Sequence, residues 1–252
     1  KAVLPLQIPD DPCWVILSAS GQLARTSNQE PLIEGGQRTR HDVFRSVVAT
    51  TARGEIGAVT SSGRMIRVQV MDMPALPPTN GLPNLAGGVP AKDFMTLAKG
   101  EKLVGMVPLN AVLALGTRNG VVKRVNPDYP LNRDDWEAIT LKPRDEVIGA
   151  AVAAKDDDEL VFATRGAQLL RFPASAVRPQ GRTAGGVAGM KLGEGDEAIF
   201  FGVVAAGDPD AVVVTVASGS ETLPGTPGGS VKVTDFAEYP AKGRATAGVR
   251  AH

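Results

Sequence analysis

Five times along its 252 residues this chain runs a short apolar stretch into a tight turn and out again toward a basic residue. Ser18-Ala19-Ser20-Gly21-Gln22-Leu23-Ala24-Arg25 has the same frame as Thr60-Ser61-Ser62-Gly63-Arg64-Met65-Ile66-Arg67 and as Thr117-Arg118-Asn119-Gly120-Val121-Val122-Lys123-Arg124. Thr164 to Arg171 is a fourth copy, with Ala167 in place of the glycine. The pattern is Ser/Thr-x-x-Gly/Ala-x-x-x-Arg. A fifth copy is degraded: Ala211 to Val216 is its strand, Ala217-Ser218-Gly219 opens the turn, and the return strand is postponed to Ser230-Val231-Lys232-Val233. Glu221 to Gly229 reads as a loop insertion rich in Gly and Pro.

Each copy follows an aliphatic run: Val15-Ile16-Leu17, Ile56-Gly57-Ala58-Val59, Val112-Leu113-Ala114-Leu115, Leu160-Val161-Phe162 and Val212-Val213-Val214. Runs so short and so apolar, bounded by turn residues, suit strands buried on both faces. A glycine after them supplies the positive φ of a tight hairpin. The unit is therefore a β-hairpin, and hairpins roughly 40 to 60 residues apart have the spacing of propeller-type blades. The best candidate for a helix is Ala91 to Leu97. The expectation is an all-β chain, one domain over 1–252, with blades near 10–50, 51–105, 106–150, 151–205 and 206–252. Five blades are expected, or six if Lys1 to Pro9 supplies a closing strand.

A Gly-rich loop carrying arginines follows the hairpin. Val177-Arg178-Pro179-Gln180-Gly181-Arg182-Thr183-Ala184-Gly185-Gly186-Val187 is echoed by Tyr239-Pro240-Ala241-Lys242-Gly243-Arg244-Ala245-Thr246-Ala247-Gly248-Val249, and Tyr129-Pro130-Leu131-Asn132-Arg133 begins it again. Acids gather before the apolar strands, as in Asp156 to Glu159, Glu194 to Glu197 and Asp208 to Asp210. Basic residues gather at the hairpin turn, on the return strand and in the Gly-rich loop. A chain with 27 basic and 27 acidic residues can thus present an acidic edge and a basic perimeter. Alternation of sign for solubility accounts for the same pattern.

Chemistry of other kinds finds little to stand on. Cys13 is the only cysteine and His41 and His252 the only histidines, which excludes an intrachain disulfide and a Cys/His zinc cluster. The Gly-rich loops lack the Gly-Lys-Ser/Thr signature of a phosphate-cradling loop. No run of 18 apolar residues occurs and Lys1 to Pro9 is not a signal peptide, so a cytoplasmic location is expected.

The stretch Leu169-Leu170-Arg171-Phe172-Pro173, with Ala176-Val177-Arg178 to Gly181, Thr183 to Gly189 and Met190-Lys191-Leu192-Gly193-Glu194-Gly195-Asp196, resembles a known family. Glu238-Tyr239-Pro240 with Lys242 to Gly248 repeats the likeness. The family is the C-terminal DNA-wrapping domain of the A subunit of bacterial type IIA topoisomerases, DNA gyrase and topoisomerase IV. The resemblance implies a β-pinwheel, a propeller-like disc whose blades exchange strands and whose basic rim bends duplex DNA. It implies as partners double-stranded DNA, the ATPase B subunit, plus the rest of the A subunit, in a bacterial cytoplasm at the nucleoid. It implies no cofactor in this domain, ATP and Mg serving other domains of the holoenzyme. Gyrase carries a first-blade box close to Gln-Arg-Arg-Gly-Gly-Lys-Gly. Here the corresponding Glu34-Gly35-Gly36-Gln37-Arg38-Thr39-Arg40-His41-Asp42 keeps Gln37 and Arg38 and lacks the Gly-Lys half, which favours the topoisomerase IV side, as does Leu76-Pro77-Pro78 to Leu85.

The family's strand-cleaving tyrosine stands next to an arginine. The two tyrosines here, Tyr129 and Tyr239, stand instead between an acid and a proline and read as loop-packing residues, so no catalytic residue is expected. What remains is binding by phosphate neutralisation, which releases counterions and reads no bases. The DNA-binding candidates are Arg38, Arg40, Arg45, Arg118, Lys123, Arg165, Arg178, Arg182, Lys242 and Arg244. Arg25, Arg67, Arg124 and Arg171 recur at one frame position and either join that rim or bond a neighbouring blade's turn. The competing reading is a propeller-type protein-interaction module, for which scattered rather than continuous basic charge would speak. A carbohydrate-active propeller is disfavoured by the lack of paired carboxylates and by 4% aromatics.

Overall fold

The first and fourth residues of the frame explain the hairpins. In the computed structural model, which describes residues 9–32, 43–78, 82–217 and 229–252, the Ser18 hydroxyl accepts the Gln22 N–H at 2.9 Å, Thr117 accepts from Val121 at 3.1 Å and Thr164 from Gln168 at 3.3 Å. The carbonyl of the same residue closes the turn, accepting from Gly21, Gly63, Gly120 or Ala167 at 3.0–3.1 Å. That fourth residue is left-handed every time, with φ of 84° at Gly21, 82° at Gly63, 75° at Gly120 and 56° at Ala167. Such a turn ending in a left-handed residue matches the twist of the strands it joins. Ala167 is the copy that bears the steric cost of a Cβ there.

The chain folds as two compact units where the sequence suggests one domain. One comprises Lys1–Ala111 and Pro127–Ile139, the other Val112–Asn126 and Thr140–His252. The first unit holds two four-stranded sheets. In one, β1 (Pro12–Ser18) pairs with β2 (Gln22–Arg25) and β3 (Phe44–Thr51), and β6 (Val89–Pro90) adds to β2. In the other, β4 (Glu55–Thr60) pairs with β5 (Arg64–Gln69) and β7 (Leu103–Pro108), and β10 (Asp135–Glu137) adds to β5. The core between them joins Val15, Leu17 and Leu23 to Ile56, Ala58, Ile66, Val68 and Met106.

The second unit repeats the plan. β8 (Leu113–Thr117) pairs with β9 (Val121–Val125) and β11 (Val147–Val152), and β14 (Val187–Ala188) adds to β9. β12 (Glu159–Thr164) pairs with β13 (Gln168–Pro173) and β15 (Ala198–Val204), and β18 (Val249–Arg250) adds to β13. Phe162 and Phe201, 4.8 Å apart and tilted by 54°, lead the core between these two sheets. Burying each ring contributes about 1.5–3 kcal/mol. In all four sheets the fourth strand comes from sequence that follows the next hairpin, so neighbouring blades exchange strands, and all pairings are antiparallel.

The fifth repeat is a two-stranded ribbon of β16 (Val212–Ala217) and β17 (Ser230–Asp235), with Ala217 opposite Ser230 as the postponed return strand requires. The described residues thus hold four full blades and this ribbon. β4 and β8 are buried on both faces, apart from the first residue of β4, whereas β16 alternates exposed and half-buried. The helix candidate is only a 3-10 turn, Ala91–Asp93. Phe94 and Leu97 beyond it pack on the first unit's core instead of extending a helix.

Candidate nucleic-acid interface

The frame arginines are committed to the fold. Arg124, with 4% of its side chain exposed, donates to the carbonyls of Ala153 at 3.0 Å, Ala174 at 3.1 Å and Val177 at 3.3 Å, and to Asp156 at 3.0 Å. Arg67 pairs with Glu55, donates to the Pro130 carbonyl at 2.8 Å and lies 5.1 Å over the Trp136 ring. Arg171 pairs with Glu159 at 3.0 Å and lies 4.7 Å over Phe236. Arg25 takes part through its backbone, its N–H bonding the Pro74 carbonyl at 3.0 Å. Each arginine stands on a return strand and grips the segment arriving from the next repeat. Of the two readings left open for these positions, the geometry favours the bond to a neighbouring blade.

Of the ten candidates, Arg38 and Arg40 lie outside the described residues, as does Gln37. Lys123 is fully buried and its ammonium donates to the Arg182 carbonyl at 2.6 Å, so it is withdrawn from the surface set. β9 is buried on both faces after its first residue, so the lysine before the frame arginine is enclosed as the arginine is. Arg244 donates to the carbonyls of Ala176 at 3.1 Å and Ala188 at 2.5 Å, holding the last Gly-rich loop on the one before it. Arg118 sits between Glu146 and Glu197, 3.8 Å from the latter, and Arg165 pairs with the same Glu197.

Four candidates remain open to an anion. Arg178 is exposed and Arg182 half-buried on the loop between β13 and β14, and neither guanidinium has an ion-pair partner among the described residues. Lys242 is exposed on the matching loop of the fifth repeat, its ammonium 3.2 Å from the Gly248 carbonyl. Arg45 is exposed on β3 in the other unit. Lys99, Lys102, Lys142 and Arg144 also stand exposed, in the turns before β7 and β11. None of these four is among the candidates read from the sequence.

Carboxylates in these turns serve the hairpins. Burial pushes the Glu101 carboxyl up, but hydrogen bonds from Arg64, Ser62, Thr60 and the Ala98 N–H outweigh it and bring the pKa down to about 2. Arg64 is raised in turn, first by Glu101. Asp196 repeats the device: burial raises it, and hydrogen bonds from Thr164 and the Gly166 and Glu197 N–H groups bring it below the usual value. The tyrosines pack loops. Tyr129 stacks on Trp136 at 5.1 Å and burial raises it to about 12, and the buried Tyr239 hydroxyl lies 3.3 Å from the Ala251 carbonyl. Among the described residues no group of three or more His, Cys, Asp or Glu is placed to hold a metal, and no helix is long and apolar enough to cross a membrane.

Residues 158–205 and 226–251 match a family model described as the DNA gyrase C-terminal domain, β-propeller. The DNA gyrase A subunit of Mycobacterium bovis (strain BCG / Pasteur 1173P2) is 29% identical over 226 residues, 86% of this chain and 25% of that protein. The chain therefore spans about a quarter of that relative's length. A crystal structure of the C-terminal domain of DNA topoisomerase IV superposes with a TM-score of 0.71 at 21% identity, covering 97% of this chain and 73% of the other. A structure of the DNA gyrase A C-terminal domain superposes with a TM-score of 0.61 at 18% identity, covering 95% and 76%. The all-β, pinwheel-type fold and the resemblance read from the sequence both hold.

Proposed function

We propose that this chain, a C-terminal domain of the DNA gyrase and topoisomerase IV A-subunit kind, binds and bends duplex DNA without catalysing a reaction of its own. The observation that carries the reading is the loop between β13 and β14, which offers Arg178 and Arg182 with no ion-pair partner among the described residues. Phosphate contacts of this sort give affinity without sequence preference. Bending a 20–30 base-pair site costs on the order of 1–6 kcal/mol, which several such contacts offset. The partners are double-stranded DNA, the ATPase B subunit, plus the remainder of the A subunit, in the bacterial cytoplasm. ATP and Mg act in other domains of that assembly, and this domain uses no cofactor.

The sequence of 34–42, with its missing Gly-Lys half, supports a topoisomerase IV role over a gyrase role. Reconstitution with the remaining A-subunit domains and the B subunit tests this. Relaxation and decatenation without negative supercoiling are expected, and supercoiling of relaxed plasmid would reassign the chain to gyrase. For DNA binding itself, mobility shifts at low salt with several unrelated duplexes should give equal affinities. Failure to shift any of them would end the proposal. The carboxylates on Arg118 and Arg165 favour a second reading, a protein-interaction module, and that outcome would point to it.

A further inference from the structure

The place just before the frame arginine is apolar and buried in three of the four complete hairpins, at Ala24, Ile66 and Leu170. The third hairpin puts Lys123 there, equally buried. Enclosing an ammonium costs free energy that an aliphatic side chain at the same place would not. The charge of Lys123 therefore serves something that the sister positions do without.

What it serves is the loop that carries Arg178 and Arg182. Backbone pairing pins this loop at two points: Gln180 donates its N–H to the Arg124 carbonyl at 2.9 Å and accepts from the Asn126 N–H at 3.1 Å, and Val187 is paired with Val122. Between these points Gly181 to Gly186 leave β9, in a turn closed by the Ala184 N–H on the Gly181 carbonyl at 3.3 Å. Gly186 lets the loop settle back onto the strand: its φ is 76°, and a Cβ there would lie 2.6 Å from the Val122 carbonyl oxygen and 3.2 Å from Lys123 Cβ.

Three successive carbonyls of this stretch are held. Lys123 Nζ donates to Arg182 at 2.6 Å, the Thr140 hydroxyl to Thr183 at 2.9 Å and the Thr140 N–H to Ala184 at 3.4 Å. Thr140 is exposed, where water competes, whereas the Lys123 bond is charged and comes from a fully buried side chain. Charge-assisted bonds are roughly twice as strong as neutral ones. The grips of Arg124 on Ala174 and Val177 end ahead of this stretch.

We infer that Lys123 is a positioning residue for DNA binding: through the Arg182 carbonyl it fixes the backbone from which the Arg182 guanidinium reaches a phosphate. The role presupposes the DNA binding proposed above and does not require Lys123 to touch DNA. A loop ordered in advance binds without the entropy cost of ordering. Arg178, ahead of the pinned Gln180, does not depend on this bond.

Lys123→Met, which keeps the unbranched stem and loses the donor, is the test. Lys123→Leu, with the residue that the fourth hairpin has at this place, is the second variant. With circular dichroism unchanged, either should show a slope of log K against log salt shallower by about 0.9, the share of one phosphate contact. Combined with Arg182→Ala, neither should reduce the slope further. A merely structural lysine would lower the melting temperature and leave the slope alone, and a lysine acting through its own charge would add to the Arg182→Ala loss.

Trypsin gives a readout that needs no DNA. It cuts after arginine, so the Arg182–Thr183 bond offers it the carbonyl that Lys123 holds, while Pro179 protects the bond after Arg178. In the unaltered protein the Arg182–Thr183 bond should resist cutting until the fold melts, and in the folded variants it should be cut about tenfold faster. Rapid cutting there in the unaltered folded protein would overturn the inference. So would an unchanged slope in a folded variant, or a slope loss that persists in full beside Arg182→Ala. Absence of duplex binding at low salt would end the DNA reading itself, and the positioning role with it, even if trypsin showed the loop held by Lys123.

Discussion

The Phe201 ring occupies the space that a side chain on Gly116 would need: a Cβ there would lie 2.1 Å from Phe201 Cγ. Blade packing in the second unit therefore depends on a glycine in β8, between the apolar Leu113–Leu115 and Thr117. Gly116→Ala should destabilise the protein by about 1–3 kcal/mol, the usual cost of overpacking a dense core. The urea midpoint measures it, and Phe201→Ala in the same chain should relieve the clash and yield less than additive loss.

Ala167 is the left-handed residue of the fourth turn, with φ of 56°. Ala167→Gly should stabilise the fold by up to about 1 kcal/mol, the relief of a left-handed Cβ less the extra chain entropy of glycine. Gly120→Ala should do the reverse and by more, because its Cβ would also meet the Met190 carbonyl oxygen at 2.6 Å. Thermal unfolding of the two variants checks the opposite signs.

Arg124 satisfies three carbonyls from the neighbouring repeat. Arg124→Met leaves them without that donor and should cost about 3 kcal/mol, since each buried group left unpaired costs about 1–3 kcal/mol and water recovers part of the sum. The folded variant should keep its affinity for DNA, which separates the structural role from a rim role. A loss of affinity at full folding would return the frame arginines to the interface.

Glu101 titrates in the folded protein at about 2, against 4.5 for an isolated glutamate side chain. The folded state thus holds its proton less tightly than the unfolded one. The stabilisation is fully present above about pH 4.5 and is lost as pH falls toward 2. Glu101→Gln should flatten the stability profile across that window while leaving it unchanged in slope near pH 7. Denaturant unfolding at several pH values reads this out.

The hairpins were legible in the sequence because their determinants are local: a hydroxyl residue, a left-handed residue three later and an aliphatic run on either side. The exchange of strands was not, because β6, β10, β14 and β18 have two or three residues each and carry no period of their own. The same limit hid the role of the frame arginines. Arg67 and Arg171 look like rim cations until the strands that deliver Trp136 and Phe236 beneath them are placed. Lys123 was misread for a simpler reason, its neighbour Arg124 and its position on a return strand suggesting a basic edge where β9 is in fact buried on both faces after its first residue.

The most direct test is the salt dependence of duplex DNA binding, measured for the protein and for the double variant Arg178→Ala/Arg182→Ala. Each phosphate contact contributes a slope of about 0.9 in log K against log salt, so the protein should bind more weakly as salt rises and the double variant should show a slope shallower by about 1.8. Affinity should fall equally for all duplex sequences. Binding that is absent at low salt, or that keeps the same slope in the double variant, would contradict a DNA-binding rim built on this loop.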